Sequence, residues 1–271
     1  MLKERGKIGK RGQLSIFVII GIILVVVIAV ALFAYTNVKS GGGARLGEEG
    51  IESYVVYVDD CLEQTTKDGL VLIGRQGGYY KNSLKSFSYS GSDDEPSPLN
   101  TDLPEIEVSY YLNSGDYFPT IENIEFSLSK YVEDNLNLCV GDFKILRDKG
   151  FEITAGEIKA EAKIMEDKTI ITLNYPVVAN YKNLESEKQS FEAEVEVRLG
   201  ELHGIIAGIL EKQKQDMSNV CLSCFVDSAK NNGFYTQLIL SKDNTVIFIL
   251  TDTKTEINGE YYDFIFANKY G

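Results

Sequence analysis

Phe191-Glu192-Ala193-Glu194-Val195-Glu196-Val197-Arg198 alternates apolar and charged side chains. A strand places successive side chains on opposite faces, so this stretch offers one face to a core and one to water. Such a segment belongs to an antiparallel sheet. Upstream, Glu157–Glu166 also alternates, Asp167-Lys168 marks a turn, and Thr169–Val178 continues apolar across Pro176. Downstream, helix signals run from about Leu199 to Asn231. They give way to three strand candidates, Phe234–Ser241, Thr245–Thr251 and Tyr261–Asn268, with turns at Asp243-Asn244 and Asn258-Gly259.

The half before this region is helical in pattern. Ile51, Tyr54, Val55, Val58, Leu62 and Thr65 fall at helical spacing and predict a helix from roughly Glu49 to Arg75, which Gly77-Gly78 stops. Thr120 is placed to cap a second helix whose stripe is Ile121, Ile124, Leu128, Tyr131, Val132 and Cys139. Between the two, residues 81–104 read as a polar loop and Glu105–Leu112 as a strand. Strands clustered apart from helices predict an α+β fold, an antiparallel sheet with amphipathic helices.

The remaining chain is of another kind. Residues 1–12 carry Lys3, Arg5, Lys7, Lys10 and Arg11 against Glu4, and Gly12 to Val38 carries no charge. The 22 residues Leu14–Tyr35 would make a helix about 33 Å long, enough for a hydrocarbon core of about 30 Å. A net charge of +4 before the run and −17 after it makes up the total of −13. Positive charge on that side predicts a cytoplasmic N-terminus and an extracytoplasmic remainder at the cell membrane. Ala29-Val30-Ala31 would suit a secretory cleavage site, but the apolar run continues past it, so an uncleaved anchor is expected. The organisation is thus a basic tail (1–13), a transmembrane helix (14–35) in the lipid bilayer, and a flexible linker (36–47) around Ser40-Gly41-Gly42-Gly43. A helix-rich part (48–150) and a sheet-rich part (151–271) of an ectodomain follow.

Arg11-Gly12-Gln13-Leu14-Ser15, running into Ile16-Phe17-Val18, resembles the archaeal class III signal segments of type IV pilins and their relatives. The resemblance implies peptidase cleavage between Gly12 and Gln13 and a pilin-like filament subunit. Phe17 departs from the pattern, standing where such pilins carry a Glu that neutralises a neighbour's N-terminus. A looser resemblance, carried by Cys61-Leu62, Gly69-Leu70, Ile73-Gly74 and Gln76-Gly77-Gly78-Tyr79, is to an uncharacterised family of anchored surface proteins in small-genome archaea. It implies a location without a mechanism.

The four cysteines all follow the apolar run, and an even count in an oxidising compartment favours disulfides. Of the three connectivities, Cys61–Cys139 with Cys221–Cys224 is preferred, because it ties the ends of two helix patterns. Cys221-Leu222-Ser223-Cys224 also has the spacing of a redox pair, with Ser218 as a possible helix cap placing Cys221 in the first turn. Gly200, Gly204 and Gly208 form a ridge at helical spacing, read as an internal packing surface. His203, the one histidine, lacks a local nucleophile motif and excludes a multi-histidine metal site. Asp93-Asp94-Glu95 lacks the alternating spacing of a calcium loop, and the acidic balance disfavours nucleic acid. The sequence therefore predicts no catalytic, cofactor-binding or metal residues. It predicts a single-pass membrane-anchored protein that acts structurally or through a protein partner or self-association at the surface. The alternatives are the pilin-like subunit and an anchored CxxC thiol oxidoreductase.

Overall fold

The computed structural model describes residues 50–80, 118–216, 218–240 and 244–270. The expected transmembrane helix, linker, polar loop and strand at 105–112 lie outside them. No described helix is long and apolar enough to cross a membrane. The described elements belong to one compact unit, Arg45–Gly271.

Helix α1 (Ser53–Arg75) buries Tyr54, Val58, Leu62, Leu70 and Ile73 along one face. Helix α2 (Ile121–Val140) begins where expected: Thr120 adopts extended backbone and its hydroxyl accepts the Asn123 N–H at 3.3 Å. Its buried stripe differs at the C-terminal end. Leu136 and Val140 point inward, whereas Cys139 is exposed beside them and reaches the buried Cys61 through its sulfur. Gly141 ends the helix in the left-handed region, at φ 53°. A 3-10 turn (Gly141–Phe143) and a single-turn helix, α3 (Lys144–Arg147), then lead into the first sheet.

That sheet is antiparallel and centred on β3 (Lys168–Tyr181). Strand β4 (Leu184–Glu196) pairs along one side, while β1 (Glu152–Ala155) and β2 (Lys159–Ile164) share the other in tandem. The short strand β1 has no alternation long enough to read from sequence. Pro176 is tolerated mid-strand because the β3–β4 register shifts between Asn174 and Val177, so no ladder N–H is required of it. As the alternation predicts, Phe191, Ala193 and Val195 are buried while Glu192, Glu194 and Glu196 face water.

Helices α4 (Leu199–Gln213) and α5 (Leu222–Asn232) precede the second sheet, β5 (Phe234–Leu240), β6 (Thr245–Ile257) and β7 (Glu260–Lys269), in antiparallel order β5-β6-β7. The Asn258-Gly259 turn has φ of 56° and 84°, the two positive values that a two-residue type I′ hairpin needs. Strand β6 is buried on both faces. Phe248 stacks on Phe225 of α5 and on Phe266, at 4.1 and 5.1 Å, and Ile247 and Ile249 cluster with Ile265 and Ala267 opposite.

Helix α1 joins the two sheets, packing on α2 and β4 and also on β7. Gly74 permits the last contact, since a Cβ there would meet the Asp263 carbonyl and the Tyr262 ring. Two polar devices complete the joint. Tyr57 donates from its hydroxyl to the Cys139 and Val140 carbonyls, each at 3.0 Å, meeting acceptors that the end of α2 leaves open. Arg198, just after β4, reaches Asp252 in β6.

Candidate functional site

Of the features singled out in the sequence, the Cys221–Cys224 pair has the most chemistry around it. The chain leaves α4 at Gln213, a buried side chain that holds the following loop. Its amide donates to the carbonyls of Asp216 and Asn219 at 2.6 and 2.7 Å, and its oxygen accepts the Cys221 N–H at 2.8 Å. Asp216 closes the same loop from outside, accepting the Ser218 N–H and the Asn219 amide. These bonds keep 214–220 from continuing as helix. Consequently α5 starts at Leu222, and the expected cap, Ser218, is instead a loop residue. Cys221 itself stands at the N-cap, with no side-chain cap bond, and Cys224 lies in the first turn.

The two sulfurs are joined, with Cα atoms 5.3 Å apart, and both residues are half-exposed. The Ser223 hydroxyl lies 3.9 Å from Cys221 Sγ. The first turn of α5 has no acidic residue to oppose its positive end. From the pair, Leu222 and Val226 run along one exposed face of α5. They lead to a groove of about 430 Å³ between that helix and β5, lined by Val226, Lys230, Phe234, Tyr235 and Thr236.

The Cys61–Cys139 pair differs in reach and in the burial of Cys61. It joins α1 to the end of α2 across a sequence separation of 78 residues, with Cys61 in the core. In the chain-entropy model such closure stabilises by about 4 kcal/mol, against about 2 kcal/mol for a loop as short as that of Cys221–Cys224. The first is a staple. The second closes a short local loop and contributes about half as much.

The other sequence candidates are structural. His203 stacks on Phe118 at 4.6 Å and its Nε2 bonds the Pro119 carbonyl at 2.8 Å. Burial pushes the imidazole below its ordinary value, outweighing the upward pull of that bond and of Glu122. The glycine ridge does not act as one internal packing surface, which corrects the sequence reading. A Cβ on Gly200 would meet the Met165 carbonyl, but among the described residues nothing lies within 4 Å of one on Gly204 or Gly208, because Leu202, Ile206 and Ile209 are the inward side of α4. Gly12, Gln13 and Asp93-Asp94-Glu95 lie outside the described residues. Among the described residues, no group of three or more His, Cys, Asp or Glu side chains is disposed to hold a metal.

Sequence reasoning missed Gln213, the clasp of the site, and the Val226–Tyr235 groove. A lone Gln at the end of a helix carries no local signal, and the groove joins residues whose adjacency depends on how α5 folds back on β5. Compared with family models, curated proteins and solved structures, the chain finds no match.

Proposed function

We propose that the protein is a single-pass anchored, extracytoplasmic module whose α+β body works by contact with a protein partner at the cell surface. The observation that carries this reading is the uncharged run from Gly12 to Val38, which follows a tail of net charge +4. The pairing of all four cysteines supports it, since cytosolic reductants keep thiols open. A stapled core suits a body that must persist outside the cell.

Carbonate washing of native membranes, followed by protease treatment of intact cells, tests the proposal. A C-terminal tag should stay with the membrane and be lost to external protease. A tag that washes off, or that is digested only after lysis, overturns it. Arg11-Gly12-Gln13 favours a second reading, the pilin-like subunit, and N-terminal sequencing of the same material separates the two. A start at Gln13 with filaments in the culture medium supports the subunit. A start at Leu32 removes the anchor.

A further inference from the structure

We propose that Cys221–Cys224 is an exchangeable disulfide that oxidises thiols in extended, apolar polypeptide segments seated along α5 and β5.

The pair has the environment such chemistry requires. It occupies the N-terminus of an 11-residue helix, where backbone N–H groups lack intrahelical partners and favour a negative sulfur. No acidic residue in the first turn cancels that effect. A thiolate released there is a good leaving group, so the disulfide is readily attacked. Both cysteines reach solvent, whereas Cys61 is shut in the core.

The surroundings name the substrate class. Leu222, between the two cysteines, is 56% exposed. Val226, one turn on, is 50% exposed, and Tyr235 across the groove is 55% exposed. Three large apolar side chains leading away from a disulfide favour an apolar partner over a small charged thiol. Strand β5 is an edge of its sheet among the described residues, and its sequence Phe234-Tyr235-Thr236-Gln237-Leu238-Ile239-Leu240 carries no charge. Such an edge accepts an added extended backbone.

The exchange balances as follows. A substrate thiolate attacks Cys221 Sγ, the Cys221–Cys224 bond breaks, and Cys224 leaves as a thiolate that takes a proton from water. A second substrate thiolate then attacks its own sulfur in the mixed disulfide. Cys221 leaves as a thiolate, the substrate is oxidised to a disulfide, and two electrons reside on the cysteine pair as two thiols. A low-molecular-weight disulfide, oxidised glutathione in the assay, returns the pair to its starting state.

The test uses the full chain, purified oxidised in detergent. It uses two synthetic dithiol peptides with the same Cys spacing, one flanked by Leu and Phe, the other by Ser and Gln. Alkylation and peptide mass report the state of each cysteine with time. The expected result is reduction of Cys221–Cys224 about tenfold faster by the apolar peptide, with Cys61–Cys139 left closed. Val226→Ser should remove the preference by slowing the apolar peptide toward the polar peptide's rate. Cys224→Ser should trap the apolar peptide on Cys221 when that peptide is supplied as its disulfide. Equal rates for the two peptides overturn the proposal, as does a Cys221–Cys224 bond no more reducible than Cys61–Cys139. If Cys224→Ser fails to fold, the rates on the unsubstituted chain decide the matter alone.

Discussion

Asp252 has no solvent exposure, yet every one of its acceptor positions is used. Arg198 clamps it with Nε and Nη2, the Lys254 N–H donates to Oδ1 at 2.9 Å, and the Thr255 hydroxyl donates to Oδ2 at 2.6 Å. Arg198 is itself held by the Asn232 carbonyl and stacks over Phe234 at 4.2 Å. Burial alone would raise the Asp252 carboxyl, but the bonds from Arg198, Thr255 and the Lys254 backbone outweigh it and hold the group below its ordinary range. A depressed carboxylate contributes stability that is complete above its unfolded value of about 3.9 and is lost as pH falls through the folded value. Stability should therefore drop below about pH 4 in part through this residue, and Asp252→Asn should flatten that limb of the profile. At neutral pH the same substitution should cost about 3 kcal/mol in denaturant titrations, because it leaves the half-buried guanidinium with only the more exposed Glu201 as counter-charge. A loss under about 1 kcal/mol would show that the pair is solvated in solution. Neither residue announced itself in the sequence. Arg198 closes an alternating strand, where a charge is ordinary, and Asp252 lies just past the expected end of the Thr245–Thr251 strand, among threonines and a lysine.

At the scale of elements, helix α2 does more than pack. Strand β2 lies at the edge of its sheet, and its outward N–H groups would be open to another chain. Instead, Ile164 N–H donates to Glu125 at 2.9 Å, Ala162 N–H to Ser129 at 2.9 Å, and Ala160 N–H to Glu133 at 3.1 Å. The geometry works because four helical residues rise about 6 Å and two strand residues about 6.6 Å, so an i, i+4, i+8 stripe matches alternate amides. Lys163 and Lys130 pair with Glu125 and Glu133, at 3.2 and 2.5 Å. Ser129→Ala removes the middle acceptor with the loss of a single heavy atom. It should cost about 1–3 kcal/mol through the stranded amide, with faster hydrogen exchange at Ala162 than at the flanking bonds. An unchanged exchange rate at Ala162 would mean that water already serves that amide. Much of the element order was legible: helix α1, the capped start of α2, strands β3, β4 and β6, and the Asn258-Gly259 turn all follow from periodicity and turn chemistry. The polar stripe Glu125-Ser129-Glu133 was also on the page, but a polar helical stripe reads as a wet face unless the strand beside it is known. The glycine ridge failed for the converse reason, since spacing identifies a shared face without saying what lies against it.

For the molecule as a whole, the decisive link is α1. The sequence places a helical half before a sheet-rich half and leaves open whether they form one domain or two. The packing of one helix against β4 and β7 together resolves this for the described body, and no local pattern encodes such a long-range choice. Three contacts converge on that helix: the Cys61–Cys139 bond, the Tyr57 bonds to the end of α2, and the close approach at Gly74. Because both sheets bury side chains on α1, neither can melt while the other keeps its core intact. Thermal unfolding should therefore show one transition, coincident by far-ultraviolet circular dichroism and by tyrosine fluorescence. Opening Cys61–Cys139 by a Cys61→Ser, Cys139→Ser double substitution should lower that single transition by about 4 kcal/mol without splitting it, since the bond acts mainly by restricting the unfolded chain. Gly74→Leu should act differently. Its side chain must displace the backbone of β7, so it weakens the union of the two sheets itself and should divide the melt into two phases, the second sheet opening first. A single lowered transition in Gly74→Leu would show that α1 is not the joint. Two transitions in the unsubstituted chain would show that the sheets were independent from the start.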